Sequence, residues 1–203
     1  YLHGGGFVRG SLALQRANAA FIASAAGMKV LAIGYRQAPE HPFPAAPTDV
    51  AAVHEALLAE GVVPASVAVI GESSGGCLAL GLAVQLRERQ HALPAGIAAI
   101  SPMVDLTLQG ASWHYNAGKD VADLAVGRQL VSLYLQGADP HRALASPAMH
   151  DFRGCCPLLV SVGSHETMLS DVEHLARKAS DAGADVWLEV YEGMPHGFTK
   201  FYT

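Results

Sequence analysis

The sequence predicts an α/β fold built on a mostly parallel sheet with helices on both faces. Three observations carry that expectation. Short segments rich in Val, Ile and Leu recur with helix-length segments between them, the alternation that builds βαβ units. Two of the short segments, Val67–Ile70 and Leu158–Val162, are apolar without interruption, as strands buried on both sides are. About half of the 203 residues are apolar, enough to bury one core, so a single domain over 1–203 is expected.

The elements follow in order. Tyr1–Leu2 reads as a strand end that runs into the glycines Gly4, Gly5 and Gly6. A helix is expected over Ser11–Ala26, a strand over Lys29–Tyr35, and a helix over Thr48–Glu60 opened by Thr48-Asp49 behind Pro47. Strand Ser66–Gly71 then leads into helix Ser74–Gln90, and strand Gly96–Ser101 follows. The connection from Pro102 to Cys156 is the long one. It holds one clear helix, Asp123–Gln136, and is expected to form a helical insertion near the pocket. Strand Pro157–Gly163, helix Asp171–Ala182 with Ser170 as N-cap and Gly183 as C-cap, and strand Asp185–Tyr191 complete the pattern.

Composition narrows the function classes. The formal net charge of −5 is spread along the chain, and no basic run or basic-aromatic patch points to nucleic acid. No uninterrupted apolar stretch is long enough for membrane insertion. Three cysteines, with Cys155 and Cys156 adjacent, do not make a disulfide framework, and as reduced residues they favour a cytoplasmic location. The ten histidines lack metal-ligand spacing, so neither metal nor cofactor is expected. The chain opens at Tyr1 inside a strand end, and an N-terminal segment is expected to be missing.

Chemistry concentrates at Gly71-Glu72-Ser73-Ser74-Gly75-Gly76. A Gly-x-Ser-x-Gly run between a strand and a helix is the context of a nucleophile elbow, which exposes the serine hydroxyl on a sharp turn. Side chains at Gly71 and Gly75 would collide with the neighbouring strand and helix as that turn closes. The first helical N–H groups, that of Ser74 included, can then face an oxyanion. The Gly4–Gly6 run leaves further backbone N–H groups uncovered for the same task. His196, in the Pro- and Gly-rich turn after the last strand, is the candidate general base. Glu166, just past the preceding strand, is the candidate acid, with Asp171 as the runner-up at a helix start. The chain order is then nucleophile, acid, base, unlike that of chymotrypsin or subtilisin.

These motifs resemble the hormone-sensitive-lipase-like branch of the α/β-hydrolases, the bacterial carboxylesterases also called family IV. The resemblance rests on His3-Gly4-Gly5-Gly6, the segment from Tyr35 to Ala46, the elbow, Ser101-Pro102, and Gly193-Met194-Pro195-His196-Gly197-Phe198. It implies an α/β-hydrolase fold with the N-terminal cap and first strands absent, Ser73 as nucleophile, His196 as base and Glu166 as acid. It also implies an oxyanion hole from the amides of Gly5, Gly6 and Ser74, and a structural ion pair within Arg36–Glu40. The implied activity is a serine carboxylesterase for esters of short to medium acyl chains, working through an acyl-enzyme without metal or cofactor. A lactone hydrolase, an acetyl-ester deacetylase and a non-catalytic ligand-binding relative are the alternatives. The implied partners are a small-molecule ester and, as an option, a second copy in a homodimer. The chain departs from the family pattern at Glu72 and Ser74, and at Glu166-Thr167, where Asp-Pro is more common.

Overall fold

The computed structural model describes residues 1–200; residues 201–203, which the single-domain expectation includes, lie outside the described part. Four parallel strands form the sheet in the order β1 (Ala68–Glu72), β2 (Gly96–Ile100), β3 (Leu158–Gly163) and β4 (Val186–Tyr191). The register pairs Ile70 with Ala98, Ile97 with Leu158, and Val160 with Leu188. Because the strands are parallel, all four release the chain at the same edge. Ser73, Ser101, Glu166 and His196 therefore all lie just beyond that edge, where open α/β sheets place their ligand crevices.

Helix α1 (Leu12–Ala26) starts with Ser11 accepting from Leu14 N–H and ends at left-handed Gly27. It carries no buried residue. Helix α2 (Ala45–Ala59) packs on α3 (Ser74–Glu88), which is buried along almost its whole length and lies against β1 and β2. A helix apolar all round suits such an interior position. Helix α6 (Leu169–Asp181) instead buries one face, with Leu169, Val172, Leu175, Ala176 and Ala179 at helical spacing, against β3 and β4. The connection between β2 and β3 carries the short α4 (Ser112–Tyr115) and α5 (Leu124–Leu135). Asp123 caps α5 by accepting from Val126 N–H at 2.8 Å.

Several expectations need correction. Residues 29–35 do not form a strand; they make one bridge, Leu2 with Ile33, while Leu2 also bridges Gly71. Ile33 N–H donates to Tyr1 carbonyl at 3.0 Å, and past Leu2 the glycine run turns the chain away. Helix α2 begins three residues before Thr48. Thr48 Oγ1 donates back to Pro44 carbonyl at 2.8 Å instead of capping, and Pro47 is tolerated because the first-turn amides have no helical acceptor. Asp49 accepts from Arg36, both from its backbone N–H and in a fork with its guanidinium at 2.7 Å. The ion pair of Arg36 is thus with Asp49 on α2, between an exposed guanidinium and a half-buried carboxylate, not one inside Arg36–Glu40. Helix α6 starts at Leu169 after Met168, so Ser170 is no cap; its hydroxyl meets that of Ser112 at 2.8 Å. Neither apolar strand is closed on both sides. Val69 and Ile70 are half-buried, and Leu159 is open to solvent beside its register partner Trp187.

Gly183 is left-handed just after Ala182, the C-cap of α6, with its N–H on Ser180 carbonyl and that of Ala184 on Ala179 carbonyl. The three cysteines are free thiols, Cys77 and Cys156 buried. Among the described residues no helix is long and apolar enough to cross a membrane.

Candidate active site

Ser73 sits between β1 and α3 with φ 55° and ψ −120°, strained for a residue with a side chain. The turn is held by Ser73 N–H on Ile100 carbonyl at 2.9 Å and by Cys77 N–H on Ser73 carbonyl at 3.1 Å. The glycines around it are sterically required. A Cβ on Gly71 would lie 2.1 Å from Gly75 carbonyl oxygen, and one on Gly75 would lie 2.1 Å from Leu2 carbonyl oxygen.

The glycine run after Leu2 lies directly on this elbow, since a Cβ on Gly4 would sit 3.1 Å from Ser73 Cβ. Gly5 and Gly6 have positive φ, and Gly5 carbonyl turns inward to accept from Arg9 N–H at 3.0 Å. Among the described residues, the N–H groups of Gly5, Gly6 and Ser74 donate to no protein acceptor. The loop is anchored on both sides. Tyr35 donates its hydroxyl to His3 carbonyl at 2.7 Å and stacks on the His3 ring. Phe7 is fully buried and stacks on Tyr134 of α5 with centroids 3.8 Å apart. Leu130, one turn earlier on α5, touches Gly6.

His196 lies in the turn after β4. Its Nε2 is 3.0 Å from Ser73 Oγ and its Nδ1 is 3.0 Å from Glu166 Oε2. With a carboxylate accepting at Nδ1, the ring proton belongs there, which leaves Nε2 to accept from the serine hydroxyl. Glu166 is fully buried, and its other oxygen accepts from Ser101 Oγ at 2.6 Å and Gly163 N–H at 2.7 Å. Burial opposes the imidazolium, but the hydrogen bond and charge of Glu166 outweigh it, with Asp120 and Glu72 adding to them. His196 is therefore held above the ordinary histidine pKa of 6.5.

The runner-up acid is elsewhere. Asp171 is buried inside α6 and accepts from Trp113 Nε1 at 3.0 Å. Burial, opposed by that hydrogen bond and reinforced by the charge of Asp105, pushes its carboxyl up to about 7. Ser101 and Asp120 received no role from the sequence. Ser101 had one signal, its place at a strand end before Pro102; Asp120 had none, in a polar turn of the long connection. A groove of about 750 Å³ lies away from this cluster, between α1, α2 and β1, lined by Ile22, Val53, Leu57 and Ile70. None of the residues of the Ser73 cluster lines it, so it is the side-chain geometry, not the size of a cavity, that marks the site.

A strained serine on a strand-to-helix turn, joined through histidine to a buried carboxylate in this chain order, is the arrangement expected of an α/β-hydrolase. The α/β-hydrolase fold family matches residues 1–200, and the chain belongs to that family. The chain is 42% identical to a crystallised esterase of the bacterial hormone-sensitive lipase family, with a TM-score of 0.96 over 99% of this chain and 68% of that one. It is 40% identical to an acetyl-hydrolase of Streptomyces hygroscopicus over 97% of this chain and 66% of that protein. It is also 35% identical to an esterase of Acinetobacter venetianus over 99% of this chain and 67% of that protein. The chain thus spans about two thirds of the length of these relatives.

Proposed function

We propose that the protein is a serine carboxylesterase that hydrolyses esters of short to medium acyl chains through an acyl-enzyme. One observation carries the reading: the unbroken relay from Ser73 Oγ through His196 to Glu166, 3.0 Å at each step. His196 Nε2 takes the Ser73 proton as Oγ attacks the ester carbonyl carbon. The carbonyl oxygen gains negative charge, and the uncommitted amides of Gly5, Gly6 and Ser74 are suited to receive it. His196 then returns the proton to the leaving alcohol. Water deprotonated by the same nitrogen releases the acid and restores Ser73. Glu166 keeps the ring proton on Nδ1 and stabilises the imidazolium.

The relatives named acetyl-hydrolase and esterase support an ester substrate with a small acyl group, and they lend nothing to the lactone and receptor alternatives. Connection 102–156 is read as part of the pocket wall, because its Leu130 and Tyr134 bear on the glycine loop. A homodimer draws support from β4, one of the sheet's two outer strands among the described residues, where Trp187 is 68% exposed. A cytoplasmic setting is supported by the free thiols of Cys77, Cys155 and Cys156.

The deciding experiment compares the intact protein with Ser73→Ala on p-nitrophenyl acetate and butyrate. The expected loss of kcat is on the order of 10⁶-fold, as for residues that act as a unit. Wild-type protein that cleaves these esters no faster than the Ser73→Ala variant ends the esterase reading.

A further inference from the structure

We propose that Asp120 is a positioning residue that fastens the acid turn and the base loop to one another and so sets the Glu166–His196 relation. The proposal rests on the esterase reading for its kinetic consequence, though not for its geometry. Asp120 belongs to neither loop; it comes from the turn between α4 and α5. Its Oδ1 accepts from the backbone N–H of His196 at 2.7 Å. Its Oδ2 accepts from Thr167 twice, from the backbone N–H at 2.8 Å and from Oγ1 at 3.1 Å. One carboxylate therefore holds the residue that carries the imidazole and the residue directly after the acid. Hydrogen bonds from backbone N–H and hydroxyl to an ionised acceptor are the stronger kind.

The rest of the segment tightens the same clasp. Asn116 is buried and donates through Nδ2 to Ser164 carbonyl at 3.0 Å and Glu166 carbonyl at 2.9 Å. Ser112 donates to Thr167 carbonyl at 2.6 Å. The two loops also meet directly, His165 N–H on Met194 carbonyl at 3.1 Å, but that tie lies before both functional residues. Asp120 grips at Thr167 and His196 themselves. Thr167 is also where the chain departs from the Asp-Pro pattern, and a proline there would offer neither of the two donors that Asp120 accepts.

The charge of Asp120 bears on His196 as well. The carboxylates that favour the imidazolium are Glu166, Asp120 and Glu72, and Lys119, the neighbouring cation, donates to Asn116 Oδ1 at 3.1 Å. Asp120→Asn removes a negative charge and replaces one acceptor with a donor that faces Thr167 N–H. In the intact protein, with folding checked by circular dichroism, two readouts are expected to move. Steady-state kinetics on p-nitrophenyl acetate should show kcat reduced roughly ten- to a hundredfold with KM nearly unchanged, the cost of displaced catalytic groups. The titration midpoint of His196 Hε1, followed by NMR without substrate, should fall by about half a pH unit. Thr167→Val removes one arm of the clasp and keeps the charge, so a few-fold loss of kcat with an unchanged midpoint is expected. That variant also decides the matter if Asp120→Asn does not fold. A folded Asp120→Asn variant with either readout at the wild-type value, or Thr167→Val with full kcat, overturns the proposal. If no ester is cleaved faster than by Ser73→Ala, the esterase reading fails, while the NMR titration still judges Asp120.

Discussion

Ser101 donates its hydroxyl hydrogen to Glu166 Oε1 at 2.6 Å, a contact made across the carboxyl ends of β2 and β3. With Gly163 N–H on the same oxygen at 2.7 Å, it fixes the rotation of the carboxylate and turns Oε2 towards His196. Ser101 is itself fully buried, with a φ of 47° that is strained for a residue with a side chain. In Ser101→Ala the carboxylate keeps one of its two donors on that side. The unsatisfied lone pair should cost about 1–3 kcal/mol of stability. A kcat roughly tenfold lower with KM unchanged is expected, because Ser101 acts through Glu166 and not on substrate. Wild-type kcat in that variant means that Gly163 alone orients the acid.

The identity of the acid can be tested by a pair of variants. Glu166 reaches His196 Nδ1 at 3.0 Å, whereas the carboxylate of Asp171 is committed to Trp113 Nε1. Glu166→Gln should reduce kcat about 10³- to 10⁴-fold, since an amide no longer holds the ring proton on Nδ1. Asp171→Asn should stay within a few-fold of wild type. The reverse ranking makes Asp171 the acid.

Much of the candidate site was legible because its proposed parts are carried by local sequence. Gly71 and Gly75 flank Ser73 since the elbow's own backbone leaves no room for Cβ, and that need is written within five residues. His196 could be read from its place just after the last apolar strand. Glu166 was harder, because two acids follow β3 within eight residues and only tertiary packing sends Asp171 to Trp113. The role of Asp120 was illegible for the same reason, and Ser101-Pro102 was seen as a motif but its task was not, as their partners lie 76 and 65 positions away. The errors in the fold share this cause. Thr48, Asp49 and Ser170 have the composition of helix caps, yet Pro44, Arg36 and Ser112 claim their side chains. Residues 29–35 have the composition of a strand, but among the described residues they make a single bridge, Ile33 with Leu2.

In the proposed mechanism the proton relay sets the acid side of the pH profile. Only neutral His196 can accept the Ser73 proton; burial works against the imidazolium, but the hydrogen bond and charge of Glu166, with the charges of Asp120 and Glu72, leave its pKa above 6.5. The acidic limb of kcat/KM, which reports the free enzyme, should therefore have its midpoint on the alkaline side of 6.5. Glu166→Gln removes the strongest partner of the imidazolium and should move that limb to lower pH. A limb in wild type below 6.5, or one unmoved by Glu166→Gln, contradicts the assignment of His196 as the titrating base.

Asp171 makes stability, rather than activity, depend on pH. Its carboxyl titrates at about 7 when folded and near 3.8 when released, chiefly because burial disfavours its charge, with the Trp113 hydrogen bond opposing that. Between those values the unfolded chain has lost a proton that the folded chain keeps. Stability from this residue is therefore full below 3.8, declines as pH rises, and reaches its lowest level above about 7. Asparagine has no such titration and its amide oxygen can still accept from Trp113. Relative to wild type, Asp171→Asn should gain on the order of 2 kcal/mol between pH 5 and pH 8. That figure follows from about 1.4 kcal/mol per tenfold change in proton affinity, reduced for relaxation around the carboxylate. Urea unfolding of both proteins at the two pH values measures the difference. A gap between the proteins that is the same at pH 5 and pH 8 means that the Asp171 carboxyl ionises as freely in the folded chain as in the unfolded one.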